Sequence, residues 1–340
     1  MTRRLSRRKR IAFAAITVLL SLGSSVVALG VIDELVRRHY SATFGLNRWG
    51  YRGPVVGRKA PGERRVVMTG GSTAFGFGVR PAESIPAQLG QRLAGASVTV
   101  VNLGYPKEGA WSLRSTLDDY AYLGYDLAIV YAGYNDLRRP NFRAFRRDSP
   151  VFRATGYLPL LPIVLDEKAR AIRYGGDLTD RFGRQDPVFR PGLADKAASG
   201  ALNAAGEVAR SLEYVLGPLT RGGSARTPTD TTGGTCAEPF RHYCAGVVAG
   251  VERALAHGGR VLVVSQPSIS DTHVAQQRHL AALLHERFRV DAGVAYLDLG
   301  AAIDLRDGAL AWDSMHLTPS GNAVIAERLV APVLALLAPR

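Results

Sequence analysis

Cysteine is nearly absent from this 340-residue chain, which has only Cys236 and Cys244. Two cysteines with no histidine at ligand spacing do not make a metal site, and none is expected. In an oxidising compartment the pair suits a short-loop disulfide, the alternative being two unpaired thiols. Other signatures are missing too. No lysine follows the Gly-rich stretch at Gly70-Gly71-Ser72 in P-loop position, and the Gly-x-Gly-x-x-Gly order of dinucleotide sites is absent, so no nucleotide cofactor is expected. There is no internal repeat, and no recognition-helix, zinc-finger or aromatic RNA-binding pattern.

Acidic residues are fewer than basic ones, 29 against 43, giving a net charge of +14. The excess does not point to nucleic acid. Arg3, Arg4, Arg7, Arg8, Lys9 and Arg10 supply six of these charges before any fold begins, leaving +8 for the rest of the chain. A second, denser group, Arg138, Arg139, Arg143, Arg146 and Arg147, reads as a patch for an anionic substrate or for lipid headgroups.

Charge is wholly missing from Ile11 to Ile32, 22 residues between the basic cluster and Asp33-Glu34. That is long enough to cross a bilayer as a helix. Residues 1–10 then form a basic cytoplasmic segment and 11–32 a transmembrane anchor, with the rest outside the cytoplasm. The rival reading is a cleaved signal peptide, since Ala28-Leu29-Gly30 resembles a small-x-small cleavage site; the length of the apolar run favours the anchor. Residues 33–62, polar and rich in Gly and Pro, read as a stalk.

Beyond residue 62 a pattern recurs of a short β-branched run, a Gly-rich turn and an amphipathic segment. It predicts strands over Arg65–Thr69, Val98–Asn102, Leu127–Ala132, Arg260–Ser265 and Val294–Asp298. Predicted helices are Ile85–Leu93, Ser112–Leu123, Phe240–His257, Val274–Phe288 and Ser320–Leu337. Near-continuous apolar strands alternating with helices imply an α/β domain with a parallel sheet covered on both faces, over 63–340. Residues 137–239 interrupt the rhythm and read as an insertion, with a partly helical cap over 138–209 and a loose loop over 217–235; the alternative is mere surface decoration.

In such sheets, functional residues collect at the carboxyl ends of the strands. There lie Ser72, Gly104 in Asn102-Leu103-Gly104, and Asn135 in Gly133-Tyr134-Asn135-Asp136. Near the C-terminus comes Asp313-Ser314-Met315-His316-Leu317-Thr318-Pro319. A carboxylate three residues before an imidazole can hold the ring Nδ1–H and leave Nε2 free as a base, while Thr318 and Pro319 begin a helix behind the turn. Each segment alone has an ordinary structural reading as a turn, a cap or an ion pair. Together they offer a nucleophile (Ser72), a base (His316), a group that orients the base (Asp313) and three oxyanion donors: the Ser72 and Gly104 N–H groups and the Asn135 amide. The other histidines, His39, His242, His257, His273, His279 and His285, have no carboxylate so spaced before a helix start.

The order Gly-Gly-Ser-Thr, Asn-Leu-Gly, Gly-Tyr-Asn-Asp and Asp-Ser-Met-His-Leu-Thr-Pro resembles the SGNH (GDSL-type) hydrolase superfamily. Its four named residues fall on Ser72, Gly104, Asn135 and His316, and its Asp on Asp313. The likeness covers residues 65–136 and 260–335. It departs from the family where Gly71 stands in place of the commoner Asp. Leu46–Gly53 is similar to the lead-in of membrane-anchored members with a Gly-Gly-Ser block. The resemblance implies a three-layer α/β/α flavodoxin-like fold with about five parallel strands, no cofactor, and a serine esterase acting on a glycan or lipid acyl ester, carbohydrate O-deacetylation among them. The alternatives are an O-acyltransferase using the same site, and a noncatalytic envelope-binding protein that keeps the fold.

Overall fold

Five short aliphatic runs form the strands β1 (Arg64–Gly70), β2 (Val98–Asn102), β3 (Leu127–Tyr131), β4 (Arg260–Val264) and β5 (Val294–Leu297) in the computed structural model, which describes residues 6–137, 141–142, 144–165 and 236–339. All pair in parallel, in the order β2-β1-β3-β4-β5, so the chain reverses its winding direction between β1 and β3. Side chains alternate between two cores. Val67, Val101, Ala128, Val130, Val261 and Val263 enter one, and Val66, Met68, Ile129, Tyr131, Leu262 and Val264 the other. Burial on both faces is why the strands read as continuous apolar runs rather than alternating ones.

The helices that lie wholly within the described residues are α1 (Arg7–His39), α2 (Ser72–Phe75), α3 (Ile85–Leu93), α4 (Leu113–Asp119), α5 (Pro150–Thr155), α6 (Arg241–Ala256), α7 (Asp271–Arg287) and α8 (Pro319–Leu337). Through Leu89, Leu93, Ile325 and Leu329, α3 and α8 cover one face; through Leu117, Val247, Val251 and Leu284, α4, α6 and α7 cover the other. The result is the expected three-layer α/β/α arrangement. The segment expected as one helix over Ser112–Leu123 is instead α4 flanked by two 3₁₀ turns. On α6, Tyr243, Cys244, Val247 and Val251 are buried, and a Cys236–Cys244 disulfide ties its lead-in to its first turn. His273, on α7, is fully buried, and burial pushes its imidazole down to about 4, so it stays neutral.

Among the described residues two helices, α1 and α8, are long and apolar enough to cross a membrane. Core packing accounts for α8, whereas Ile11 to Ile32 of α1 is exposed along its length. The region beyond α1 does not stand off as a stalk. Phe44, Leu46, Tyr51 and Arg52 are buried against the domain, and Arg52 makes a bridge with Asn102 at the end of β2. Hydrophobic Phe44, Leu46 and Tyr51 were masked in the sequence by the Gly and polar residues around them.

The last turns of α1 dock as well. Asp33 Oδ1 accepts the Leu160 and Leu161 N–H groups, both at 2.6 Å, and Oδ2 accepts from Arg37 at 2.8 Å and from the Tyr157 hydroxyl. Arg37 also donates to the Leu46 and Leu158 carbonyls. Leu158 and Leu160 themselves lie in the core with Phe145 and Phe152. This first part of the insertion is therefore structural rather than decorative, while 166–235, with the expected loose loop and most of the expected cap, lies outside the described residues.

Removing the Asp33 carboxylate takes the acceptor from the buried Leu160 amide and the half-buried Leu161 amide, and the ion-pair partner from the buried Arg37 guanidinium. Asp33→Ala is expected to cost about 3 kcal/mol of unfolding free energy, and a chain begun at residue 40 should show a similar loss. Denaturant midpoints in detergent check this; an unchanged midpoint would show that the docking contributes nothing.

Candidate active site

Three loops leaving the carboxyl edge of the sheet and one turn from the C-terminal region converge on Ser72. The first loop is the shortest. β1 ends at Gly70, and Gly71 caps α2, so Ser72 is the first helical residue and its N–H lacks an intrahelical acceptor. The C-terminal end of α2 is held by Arg52. Its guanidinium donates to the Phe75 and Gly76 carbonyls at 2.6 and 2.7 Å, to Val79, Phe44 and Thr43, and lies 4.3 Å from the Phe75 ring centroid. Burial lowers its pKa to about 9, still charged at neutral pH.

The turn bearing the base is closed by its own carboxylate. Asp313 Oδ1 accepts the Met315 and His316 N–H groups at 3.2 and 2.8 Å, and Oδ2 accepts from His316 Nδ1 at 2.8 Å. Ser314 adopts a left-handed φ of 61°, a conformation few non-glycine residues take, which lets the chain turn back so tightly. Thr318 caps α8 by accepting the Gly321 N–H at 3.1 Å, with Pro319 in the first helical position, as the sequence pattern implied. His316 Nε2 meets Ser72 Oγ at 2.8 Å across 244 residues of sequence, and the Phe77 ring packs 5.1 Å from the imidazole. Burial alone would raise the Asp313 carboxyl; the hydrogen bonds and charge of His316, with the two amides, outweigh it and hold it below its ordinary value. Asp313 is thus ionised and oriented for an imidazolium.

The expected oxyanion donors stand differently from one another. Asn135 Nδ2 donates one proton to the Glu108 carbonyl at 2.7 Å, leaving the other, and it lies against Gly71 beside the nucleophile. A Cβ at residue 71 would collide with this amide and approach Glu108 O to 3.0 Å, which accounts for glycine where the resembled family commonly has Asp. The Gly104 N–H donates to Asn102 Oδ1 at 3.0 Å. Its glycine is needed because a Cβ would lie 2.5 Å from Phe75 N, so the backbone here closely approaches α2.

Sequence reasoning missed the residues beneath these loops. Glu108 and Arg146, both almost wholly buried, approach to 3.5 Å. Arg146 also donates to the Gly50 and Leu103 carbonyls, and Glu108 accepts the Phe145 N–H. Arg147 pairs with Asp119. Two members of the expected anionic-binding patch are therefore committed to internal bonds; Arg138, Arg139 and Arg143 lie outside the described residues. Beside Asn135, the buried Asp136 accepts the Ala110 N–H at 3.0 Å, and burial raises it to about 7. No sequence signal separated Glu108 or Arg146 from surface charge.

Two outcomes test this packing. Gly71→Ala should displace the Asn135 amide and lower any Ser72-dependent turnover by about 10²-fold, the scale of one lost oxyanion donor; wild-type turnover would mean the contact is unimportant. Asp136 binds its proton more tightly folded than unfolded, so stability should fall as pH rises from about 4 to about 7. Asp136→Asn should flatten that part of the stability–pH curve and be the more stable form at pH 8; identical curves would contradict the assignment.

No protein-family model matches the chain, and no curated protein matches it. Among solved structures it is similar to a putative lipolytic protein of the G-D-S-L family from Desulfitobacterium hafniense, with 15% identity, 79% of this chain and 99% of that one covered, and a TM-score of 0.43. It is similar also to a catalytic mutant of an acetylxylan esterase from Geobacillus stearothermophilus (12% identity, 84% and 99% covered, TM-score 0.42). A third is the family 3 carbohydrate esterase of Clostridium thermocellum (12% identity, 82% and 100% covered, TM-score 0.40). Likeness at this level is one of backbone shape, and the functional reading below stands on the geometry of the site.

Proposed function

We propose that the chain is a serine esterase that hydrolyses acyl esters of a glycan or lipid, carbohydrate O-acetyl esters foremost, carried at a membrane by α1 with its site outside the cytoplasm. The observation that carries this reading is the unbroken relay from Asp313 Oδ2 to His316 Nδ1 and from His316 Nε2 to Ser72 Oγ, 2.8 Å at each step. A hydroxyl so placed has little other use: a structural serine does not need a base that is itself oriented by a carboxylate.

In the proposed reaction His316 Nε2 takes the Ser72 proton as Oγ attacks the ester carbonyl. Asp313, held ionised, stabilises the imidazolium and keeps Nδ1 protonated. The oxyanion is met by the Ser72 N–H and the remaining Asn135 amide proton; the Gly104 N–H joins them by sharing itself between Asn102 Oδ1 and the oxyanion. His316 then protonates the departing alcohol. Water, activated by the same imidazole, releases the acid from acyl-Ser72. In an acyltransferase a sugar hydroxyl would replace that water, and nothing in the triad distinguishes the two.

Ser72→Ala is expected to remove at least about 10³ of turnover on acetylated sugars or short aryl esters while leaving the thermal midpoint near wild type. His316→Ala should fall as far, Asp313→Ala less far, and the three together little further than Ser72→Ala alone. Turnover that survives Ser72→Ala would remove Ser72 from the mechanism, and a wild-type chain that binds these esters without turning them over would favour a noncatalytic protein. Acyl transfer to a glycan without release of free acid would assign the transferase reaction.

A further inference from the structure

The side chain of Gln266 joins the two halves of the proposed site. It lies two residues beyond the end of β4 and is 2% exposed. Its Nε2 donates to Thr73 Oγ1 at 2.5 Å, and its Oε1 accepts the Tyr134 N–H at 3.0 Å. The orientation of the amide is not arbitrary. A backbone N–H can only donate, so the oxygen must face Tyr134 and the nitrogen must face the threonine hydroxyl. Thr73 is the residue after the nucleophile, and Tyr134 is the residue before Asn135.

The clamp is backed on the Asn135 side by further buried groups. The Tyr134 hydroxyl donates to the Pro267 carbonyl at 2.5 Å, so this tyrosine is held at both ends by consecutive residues. Gln276 Nε2 reaches the Gly133 carbonyl at 3.4 Å, Gln277 Nε2 donates to the Tyr243 hydroxyl at 3.0 Å, and that hydroxyl donates to the Ala132 carbonyl at 2.9 Å. Residues 132–134 thus sit on a bed of buried amides and hydroxyls, and Gln266 alone among these side chains reaches across to α2. Gln266 engages both polar atoms in these two bonds, and neither of them goes to Ser72, His316 or Asn135.

Resting on the esterase reading above, we propose that Gln266 is a positioning residue that fixes the distance between the nucleophile Ser72 and the oxyanion donor Asn135. The two are carried on separate loops, after β1 and after β3. Strand pairing sets where those loops begin but not how their tips face each other. A displacement of about 1 Å between an attacking atom and its oxyanion donor costs on the order of 10²-fold in rate. A short, buried, two-ended amide bridge holds that distance without projecting into the space the substrate needs.

The test uses the full chain in detergent with para-nitrophenyl acetate, comparing Gln266→Leu, Thr73→Val, the double variant, Thr73→Ser and Ser72→Ala. Gln266→Leu and Thr73→Val should each lower kcat by about 10- to 100-fold with KM little changed. The double variant should lose no more than the worse single one, because both remove the same bridge. Thr73→Ser, which keeps the accepting oxygen, should restore most of the rate. Should Gln266→Leu fail to fold because the Tyr134 N–H is left unpaired, Thr73→Val carries the test, since it spares that bond. A wild-type kcat in folded Gln266→Leu or Thr73→Val, with only the thermal midpoint lowered, overturns the proposal, as does multiplication of the two losses. Ser72→Ala separates the two levels: if it abolishes turnover while the clamp variants stay active, only the clamp is wrong. If Ser72→Ala is itself active, the esterase reading fails and the clamp proposal falls with it.

Discussion

The hydrogen bond between His316 Nε2 and Ser72 Oγ brings together two atoms 244 residues apart, and it sets the tolerance that the surrounding structure must meet. A bond of this kind weakens steeply with a few tenths of an ångström or a few tens of degrees. Both of its ends must therefore be carried on elements that cannot drift. Ser72 is placed by the step from the central strand β1 into α2. His316 is placed by the turn that Asp313 closes and by the capped start of α8. The two supports are then fastened to each other: Gln88 on α3 donates to the Pro319 carbonyl at 2.9 Å, and Asn322 on α8 donates to the Glu83 carbonyl at 3.1 Å. The start of α8 is thus held directly to the segment that follows the nucleophile.

A second theme is the use of arginine as a bracket for backbone. Arg37, Arg52 and Arg146 are all buried, and between them they bond to nine backbone carbonyls in the segments around residues 43–50, 75–79, 103 and 158. These carbonyls lie in turns, in loops and at the C-terminal end of α2, where regular backbone pairing leaves them without a partner, and a buried carbonyl without one is costly. A guanidinium has five donors in a fixed plane and can satisfy several at once. The same cations tie the region after α1 to α2 and to the loop following β2. The apolar helix is therefore joined to the layer that carries Ser72 by a chain of bonds rather than by a slack connector.

The legible and illegible parts of the chain divide by the range of the interactions. The five strands and the helices behind them were readable because a strand buried on both faces must be apolar over its whole length. The Asp313–His316 turn was readable because carboxylate, imidazole, cap and Pro lie within seven residues. Ser72, Gly104 and Asn135 were readable as positions at strand ends. Gln266, Glu108, Arg146, Arg52 and Asp33 were not. Each has at least one of its partners tens to hundreds of residues away, and in sequence a buried Arg or Gln has the same neighbours as an exposed one. The stalk was misread for the same reason: Gly and Pro signalled turns correctly, but only contact with the domain revealed that Tyr51 and Arg52 are interior.

By itself, then, the sequence determined the elements, the parallel sheet and the candidates for nucleophile, base and orienting acid, because these follow from local pattern and from chemistry that few residue types can perform. Tertiary structure alone decided how far the nucleophile stands from its base, which oxyanion donors are already engaged, and which charges are interior. Those are questions of distance and desolvation, and they have no value until strand order and loop packing have brought remote residues within hydrogen-bonding reach.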